Sequence, residues 1–241
     1  MRSATAPRRK ASSGPVIVTI DGPGGVGKST VAKLLARRLG IMYLDTGATY
    51  RALAHAALSQ HVLGDAKKLA ALAKRLPLRL KPFADGTLQV WLNGEDVTDA
   101  IRTEKVSEAA ALVARDPAVR SAMVRLQRRL ANKRGVVVEG RDTGSVVFPR
   151  APYKFFLDAD PRVRAGRRQQ ELQKRYGTGI SLTEVREQLE FRDELDRTRR
   201  VGPLVKPKGA IAIDTSHRKA PQVVSLMLGH IRNARRLPTR R

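Results

Sequence analysis

Residues 21–30 read Asp-Gly-Pro-Gly-Gly-Val-Gly-Lys-Ser-Thr. Gly22, four intervening residues and then Gly27-Lys28-Ser29 form the pattern of a loop that wraps nucleotide phosphates. Gly22, Gly24, Gly25 and Gly27, with Pro23 and Val26 between them, free the backbone to turn its N–H groups inward around an anion. A helix starting at Ser29-Thr30 would add the positive end of its dipole. Lys28 is expected to reach the β- and γ-phosphates and the Ser29 hydroxyl to ligate Mg²⁺, which makes Gly22 to Thr30 the candidate ATP site. A plain glycine-rich turn is the competing reading, and the strand and helix around the loop count against it. Holding a phosphate does not define a reaction, so the acceptor side must be sought elsewhere in the chain.

Four segments could supply it. In Asp45-Thr-Gly-Ala-Thr-Tyr-Arg51, Thr46 is a cap for a helix whose first turns carry Tyr50 and Arg51. In Val136-Val-Val-Glu-Gly-Arg-Asp142, a buried-looking strand runs straight into Arg141-Asp142, and ligands of open α/β sheets bind beyond the carboxyl ends of strands. Between Leu182 and Arg199, the stripe Leu182, Val185, Leu189 continues at helical spacing as Arg192, Asp196, Arg199. Unpaired buried charge is costly, so that half of the helix should face a cleft holding an anion. Finally, Asp160-Pro161 opens a helix carrying Arg167 and Arg168, which reads as a solvated basic face or as a lid closing over phosphates. Each segment also has a bland reading: a capped helix with an exposed arginine, a turn with a local ion pair, or an Arg192–Asp196 pair on an exposed helix.

The elements that must position these residues alternate. Val16–Ile20 is a strand, Ser29–Leu39 a helix ended by Gly40, and Ile41–Leu44 a strand. Helices follow at Ala48–Val62 and Ala66–Leu76. Leu78–Phe83 and Thr87–Leu92 alternate around Ala84-Asp85-Gly86 as a hairpin, with a turn at Asn93–Asp96. Helices at Glu104–Ala114 and Pro117–Ala131 precede strands at Val136–Glu139 and Tyr153–Leu157. Helices at Pro161–Arg175 and Leu182–Arg199 meet at a turn containing Gly177. A strand at Ala210–Ile213 and a helix at Ala220–Arg236 close the chain. This predicts an α/β fold with a mainly parallel sheet and helices on both faces, interrupted by a β-rich insertion.

Composition limits the alternatives. The 241 residues contain no cysteine, which excludes disulfides, thiolate metal sites and a cysteine nucleophile. The four histidines show no metal-ligand spacing, and no apolar run of about 18 residues exists to span a membrane. The N-terminal segment is basic but lacks the apolar stretch of a signal peptide, so a cytoplasmic monomer is expected. Basic residues number 47 against 22 acidic, a net charge of +25, which points to polyanionic partners. Residues 1–15 and 230–241 supply nine of those charges. They read as solvated tails, with weak nonspecific nucleic-acid contact as the functional alternative.

Two families resemble the loop. Gly24–Ser29 is similar to the loop of chromosome-partitioning ATPases, some of which sit on DNA. Those loops carry a second lysine where this chain has Pro23, which counts against a basic DNA-associated P-loop ATPase. The longer resemblance is to the bacterial cytidylate kinases, a family of P-loop nucleoside monophosphate kinases. It rests on IDGPGGVGKST, LDTGATYRALA, LNGEDVTDAIRTEKVS, VVEGRDTGSVVFPRAPYKFFLDAD and FRDELDRTRRVGPL, which run in family order from Ile20 to Leu204.

The resemblance implies a three-layer P-loop fold with a small β-rich NMP-binding insertion and a helical lid. It implies one kinase domain over 16–236: core at 16–65, 133–160 and 200–236, NMP-binding subdomain at about 66–132, lid at about 161–199. The basic ends fall outside the resemblance, and a basic flexible tail is expected at 1–15 and a basic tail at 237–241. It implies transfer from ATP, with Mg²⁺, to CMP and dCMP. Arg51, Arg141 and Arg199 would grip the acceptor phosphate. Thr46 and Arg120 would contact CMP, Asp142 would help read cytosine, and Asp196 with Arg192 would reach the ribose. Arg167 and Arg168 would belong to the lid. Ala111 matches a position where the family often has a serine that reads the cytosine amino group, which leaves discrimination to Arg120 and Asp142. Arg150 stands where an acid is usual. A CMP phosphate oxygen is already anionic, so positioning and charge neutralisation suffice. A kinase acting on an alcohol would want a carboxylate base, for which Asp142 could serve.

Overall fold

The computed structural model describes residues 15–82, 88–131, 135–177 and 179–236. The hairpin turn expected at Ala84-Asp85-Gly86 lies outside these residues, as do the basic ends at 1–14 and 237–241. Five strands form one fully parallel sheet: β1 (Ile17–Asp21), β2 (Met42–Asp45), β6 (Val136–Gly140), β7 (Tyr153–Asp158) and β8 (Ile211–Asp214). Their spatial order is β2-β6-β1-β7-β8. β6 is buried along its whole length and β1 over its last four residues, as β-branched runs flanked on both sides require.

A parallel sheet sends all its strand ends to one edge, where ligands bind. β1 leads into the phosphate loop and helix α1 (Lys28–Leu39). β2 leads into α2 (Thr46–Ser59). β6 leads into Arg141-Asp142 and a π-helical turn at Thr143–Val147. β7 leads into α6 (Pro161–Tyr176), and β8 into Thr215. Between α2 and β6 lie α3 (Ala66–Arg75), the antiparallel strands β3 (Leu78–Pro82), β4 (Leu88–Leu92) and β5 (Glu95–Asp96), α4 (Glu104–Val113) and α5 (Pro117–Leu130). The turn expected at Asn93–Asp96 is therefore only half a turn. Asn93-Gly94 reverses the chain and Glu95-Asp96 pairs with Trp91-Leu92. α7 (Leu182–Thr198) and α8 (Ala220–Arg236) complete the chain.

Local chemistry explains most helix starts. Asp116 caps α5 and Asp160 caps α6, each followed by proline at the first helical position. Ser181 and Glu184 form a reciprocal capping box on α7. Asp45, not Thr46, caps α2: its backbone is still extended and its carboxylate accepts from Ala48 N at 2.9 Å, whereas Thr46 is already helical.

Apolar packing falls into separate clusters. One joins β1, β7, α1 and α8 through Ile20, Leu35, Phe155 and Met227. A second joins α2 to α5 and the small sheet through Leu53, Val90, Val119 and Met123. A third, of Ala165, Leu172, Val185 and Leu189, holds α6 to α7. Its three larger side chains are worth about 1.5–3 kcal/mol each, so this helix pair rests on a small core. Leu182, expected on the inward stripe of α7, is exposed instead, because it sits in the first turn beyond that core.

Candidate active site

The strand ends open into a cavity of about 980 Å³. It is lined by every candidate residue singled out above except Gly22 and Pro23, which are buried behind the loop. Gly27 adopts φ +86° where the loop turns into α1. Gly25, at φ +75°, lets the loop pass under α6: a Cβ there would meet the Arg164 carbonyl oxygen at 2.7 Å.

Lys28 is buried and its Nζ donates to the Pro23 carbonyl at 2.5 Å. Burial, reinforced by the nearby Arg141 charge, pulls its pKa down to about 7. Ser29 and Thr30 are exposed to the cavity. Behind them stands Glu139, buried at the end of β6, which accepts from the Tyr43 hydroxyl. Burial, with the Asp45 charge, pushes the Glu139 carboxyl up, while Lys28, Tyr43 and the Ser29 hydroxyl pull the other way. An exposed hydroxyl beside a buried carboxylate is a donor set that suits a hard divalent cation. Among the described residues no cluster of three or more acidic, histidine or cysteine side chains offers a separate metal site.

Asp21 secures the other side of the loop. Fully buried at the end of β1, it accepts from Thr143 N at 2.7 Å, Thr143 Oγ1 at 2.8 Å and Gly144 N at 2.7 Å. Those bonds fix the π-helical turn that follows Arg141-Asp142. Burial raises the carboxyl's pKa, and the three donors partly offset it.

Further along the cavity the guanidiniums outnumber their carboxylates. Asp142 takes Arg120, which is 1 % exposed, and lies 3.7 Å from Arg199 Nη2. Asp196 takes Arg141 at 2.7 Å and Arg199 at 2.8 Å. Two carboxylates thus serve three arginines. Arg199 Nη2, Arg120 Nε and the Nε of Arg51 are buried donors without a hydrogen-bond partner among the described residues. Arg51 is otherwise paired with Asp45 at 2.9 Å. Burial and the neighbouring Arg120 charge pull the Arg199 guanidinium below its usual range, while Asp196 and Asp193 outweigh burial and raise that of Arg141. Burial also pulls Arg192 down. A guanidinium keeps its proton near neutral pH, so this excess of buried positive charge calls for an anion.

Arg120 also stacks over the Tyr50 ring, with 5.6 Å between guanidinium carbon and ring centre. Burial pushes the Tyr50 phenol up to about 12, so it remains a neutral donor. Thr46 Oγ1 donates to the Glu139 carbonyl at 2.7 Å, which holds the start of α2 against β6. Ser107, Ala110 and Ala111 of α4, and Ala114 at its C-terminal end, line the same cavity, and Arg120 Nη1 donates to the Ala114 carbonyl at 3.2 Å. The paired Arg192–Asp196 reading does not hold: Asp196 goes to Arg141 and Arg199, and Arg192 lies 3.7 Å from Glu104. Arg167 donates to Thr215 O at 2.6 Å, and Arg168 pairs with Glu104 at 3.5 Å and Glu171 at 3.1 Å.

Glu139, Asp21, Asp193 and Arg164 escaped the sequence reading. Two signals were available. Asp21 and Glu139 are acids at the ends of buried strands next to the glycine loop and to Gly140-Arg141-Asp142. Asp193 and Arg164 gave none, since their partners are remote in sequence.

Known proteins match this arrangement along nearly the whole chain. The family model described as cytidylate kinase matches residues 18–233. The cytidylate kinase of Pelotomaculum thermopropionicum is 47 % identical over 220 residues, covering 91 % of this chain and 97 % of that one. That of Geobacillus sp. WCH70 is 46 % identical over 212 residues, covering 88 % and 94 %. That of Klebsiella pneumoniae is 44 % identical over 217 residues, covering 90 % and 95 %. None of these relatives supports the DNA-associated ATPase alternative.

Proposed function

The chain belongs to the cytidylate kinase family, and on that premise we propose that it transfers the γ-phosphoryl group of ATP to CMP, and to dCMP, giving ADP with CDP or dCDP. It is an ATP-dependent nucleoside monophosphate kinase. The observation that carries the acceptor side is the surplus of buried guanidinium donors around Asp142 and Asp196. A nucleoside monophosphate brings the dianion they lack, and an alcohol does not.

In this reading Gly22 to Thr30 hold the ATP phosphates and Lys28 spans the β- and γ-phosphates. Ser29, with Glu139 behind it, would hold Mg²⁺. The ion supplies charge neutralisation on the phosphate oxygens when bound. Arg51, Arg141 and Arg199 seat the acceptor phosphate, and their fork geometry fixes its oxygens in two dimensions. Arg120 and Asp142 meet the pyrimidine edge, where guanidinium donors suit ring nitrogen and carbonyl and the carboxylate suits an exocyclic amine. Tyr50 and Thr46 border that pocket. Asp196 and Arg192 face the ribose. Arg167 and Arg168 exchange Thr215 and Glu104 for phosphate oxygens and offset the repulsion between two polyanions. No side chain needs to take a proton, because the attacking phosphate oxygen is already anionic.

We further propose a cytoplasmic monomer, in keeping with a chain free of cysteine and without a helix, among the described residues, long and apolar enough to cross a membrane. The net charge of +25 supports weak, salt-sensitive contact of its basic ends with nucleic acid.

Label transfer tests the reaction. With ATP labelled at the γ-phosphate and excess CMP, the label is expected in CDP. Label released only as free phosphate would overturn it.

A further inference from the structure

Asp193 is 1 % exposed and has no part in the roles assigned so far. Its Oδ1 accepts from Gly24 N at 3.0 Å, and its Oδ2 accepts from the Arg164 guanidinium. One carboxylate therefore joins the phosphate loop, α6 and α7. Arg164 is 5 % exposed, and its Nε has no hydrogen-bond partner among the described residues. The α6 backbone at Arg164 rests on Gly25, where a Cβ would lie 2.7 Å from the Arg164 carbonyl oxygen and 3.0 Å from its Cβ.

A buried ion pair is a poor source of stability. Two apolar side chains of similar volume would pack as well without the cost of removing charges from water. What the pair does supply is direction: a planar guanidinium and a two-oxygen acceptor fix angles as well as distances. Arg167 and Arg168 lie three and four residues beyond Arg164, one helical turn along the same face, and both line the cavity. Any slip of α6 against the loop moves them away from the phosphates.

We propose that Asp193 is a positioning residue for phosphoryl transfer. It locks the phosphate loop, α6 and α7 into one unit, so that Arg167 and Arg168 are held in register with the bound triphosphate. This rests on the kinase reading of the same cavity. Asp193 touches no reacting atom in this account, and its effect passes through Gly24 and Arg164.

The test compares the wild type with R164M/D193L and R164K/D193E. Melting temperature, kcat, KM for ATP, KM for CMP and acceptor-free ADP formation are measured on each. R164M/D193L replaces the pair by apolar groups, so its Tm is expected within about 5 °C of the wild type or above it. Its kcat is expected to fall and its KM for ATP to rise by about tenfold each, with KM for CMP within about twofold. Acceptor-free ADP formation should rise as a share of the total. R164K/D193E keeps both charges but moves each head group, and the same shift in ATP parameters is expected. It decides the matter if the apolar pair does not fold. A folded variant of either kind with wild-type kinetics overturns the proposal, as does a rise in KM for CMP equal to that for ATP. If the wild type itself does not turn over CMP, the kinase reading fails instead, and the ATP affinities of the variants by calorimetry still decide the tether.

Discussion

ATP binding should draw a proton onto Lys28. With the cavity free of ligand, burial and Arg141 hold this ammonium at a pKa of about 7. At pH 8 about one Lys28 in ten is then protonated. A triphosphate seated against it favours the charged form and restores its pKa towards the ordinary lysine range. Binding at pH 8 should therefore take up about 0.9 proton, and binding at pH 6 about 0.1. The sign follows from the bound state holding more protons, so ATP affinity weakens as pH rises, by up to about tenfold per unit above pH 7. Isothermal titration calorimetry in buffers of different ionisation enthalpy reads the uptake as the slope of observed enthalpy against buffer enthalpy. Lys28→Arg supplies the control, because its guanidinium is charged throughout and should give a slope near zero. A wild-type slope near zero at pH 8 would mean that Lys28 is already charged in the free enzyme, and no proton uptake would accompany binding.

Arg120→Met leaves Asp142, among the described residues, with the 3.7 Å Arg199 ion pair alone and should cost about 3–5 kcal/mol of stability by urea unfolding. The same variant should bind ATP normally and lose CMP turnover by at least about a hundredfold; parallel loss of ATP binding would contradict its placement. Ala111→Ser adds a hydroxyl to the α4 wall of the cavity and should raise the ratio of kcat/KM for CMP over UMP by about three- to tenfold, read from paired acceptor kinetics. For Asp45, burial acts upward, but Arg51 and the Ala48 N–H together hold its carboxyl below the usual range. The pair's stabilisation is thus present above the unfolded carboxylate pKa and lost as pH falls through the folded one. Wild type should exceed Arg51→Gln by up to about 1 kcal/mol at pH 7, with the gap narrowing in urea titrations as pH falls below the unfolded carboxylate range.

Much of the site could be read from the chain because its signals are local. Gly22–Ser29 carries its own strand, turn and helix context. Arg141-Asp142 follows a strand whose hydrophobic run announces burial. Arg192, Asp196 and Arg199 could be placed on one face because helix periodicity continues from Val185 and Leu189 into the charged half. The shortfalls have a common origin in tertiary contact. Gly24 and Asp193 are 169 positions apart, and Asp21 and Thr143 are 122 apart, so neither pairing leaves a trace in spacing. Asp193 sits one residue off the stripe and reads as an exposed acid until α6 is packed against α7. Thr46 looked like a cap because threonine suits that role, yet the chain is still extended at Asp45 and the hydroxyl is taken by Glu139. Glu95-Asp96 looked like turn residues because two polar side chains hide a strand that needs only β4 beside it.

A cavity that brings ATP together with a pyrimidine nucleoside monophosphate has a defined acceptor preference. ADP formation measured with CMP, dCMP, UMP, AMP and no acceptor tests it most directly. Turnover is expected with CMP and dCMP well ahead of UMP and AMP, and almost none without an acceptor. Acceptor-independent hydrolysis that rises on adding DNA, with no preference among the monophosphates, would contradict it.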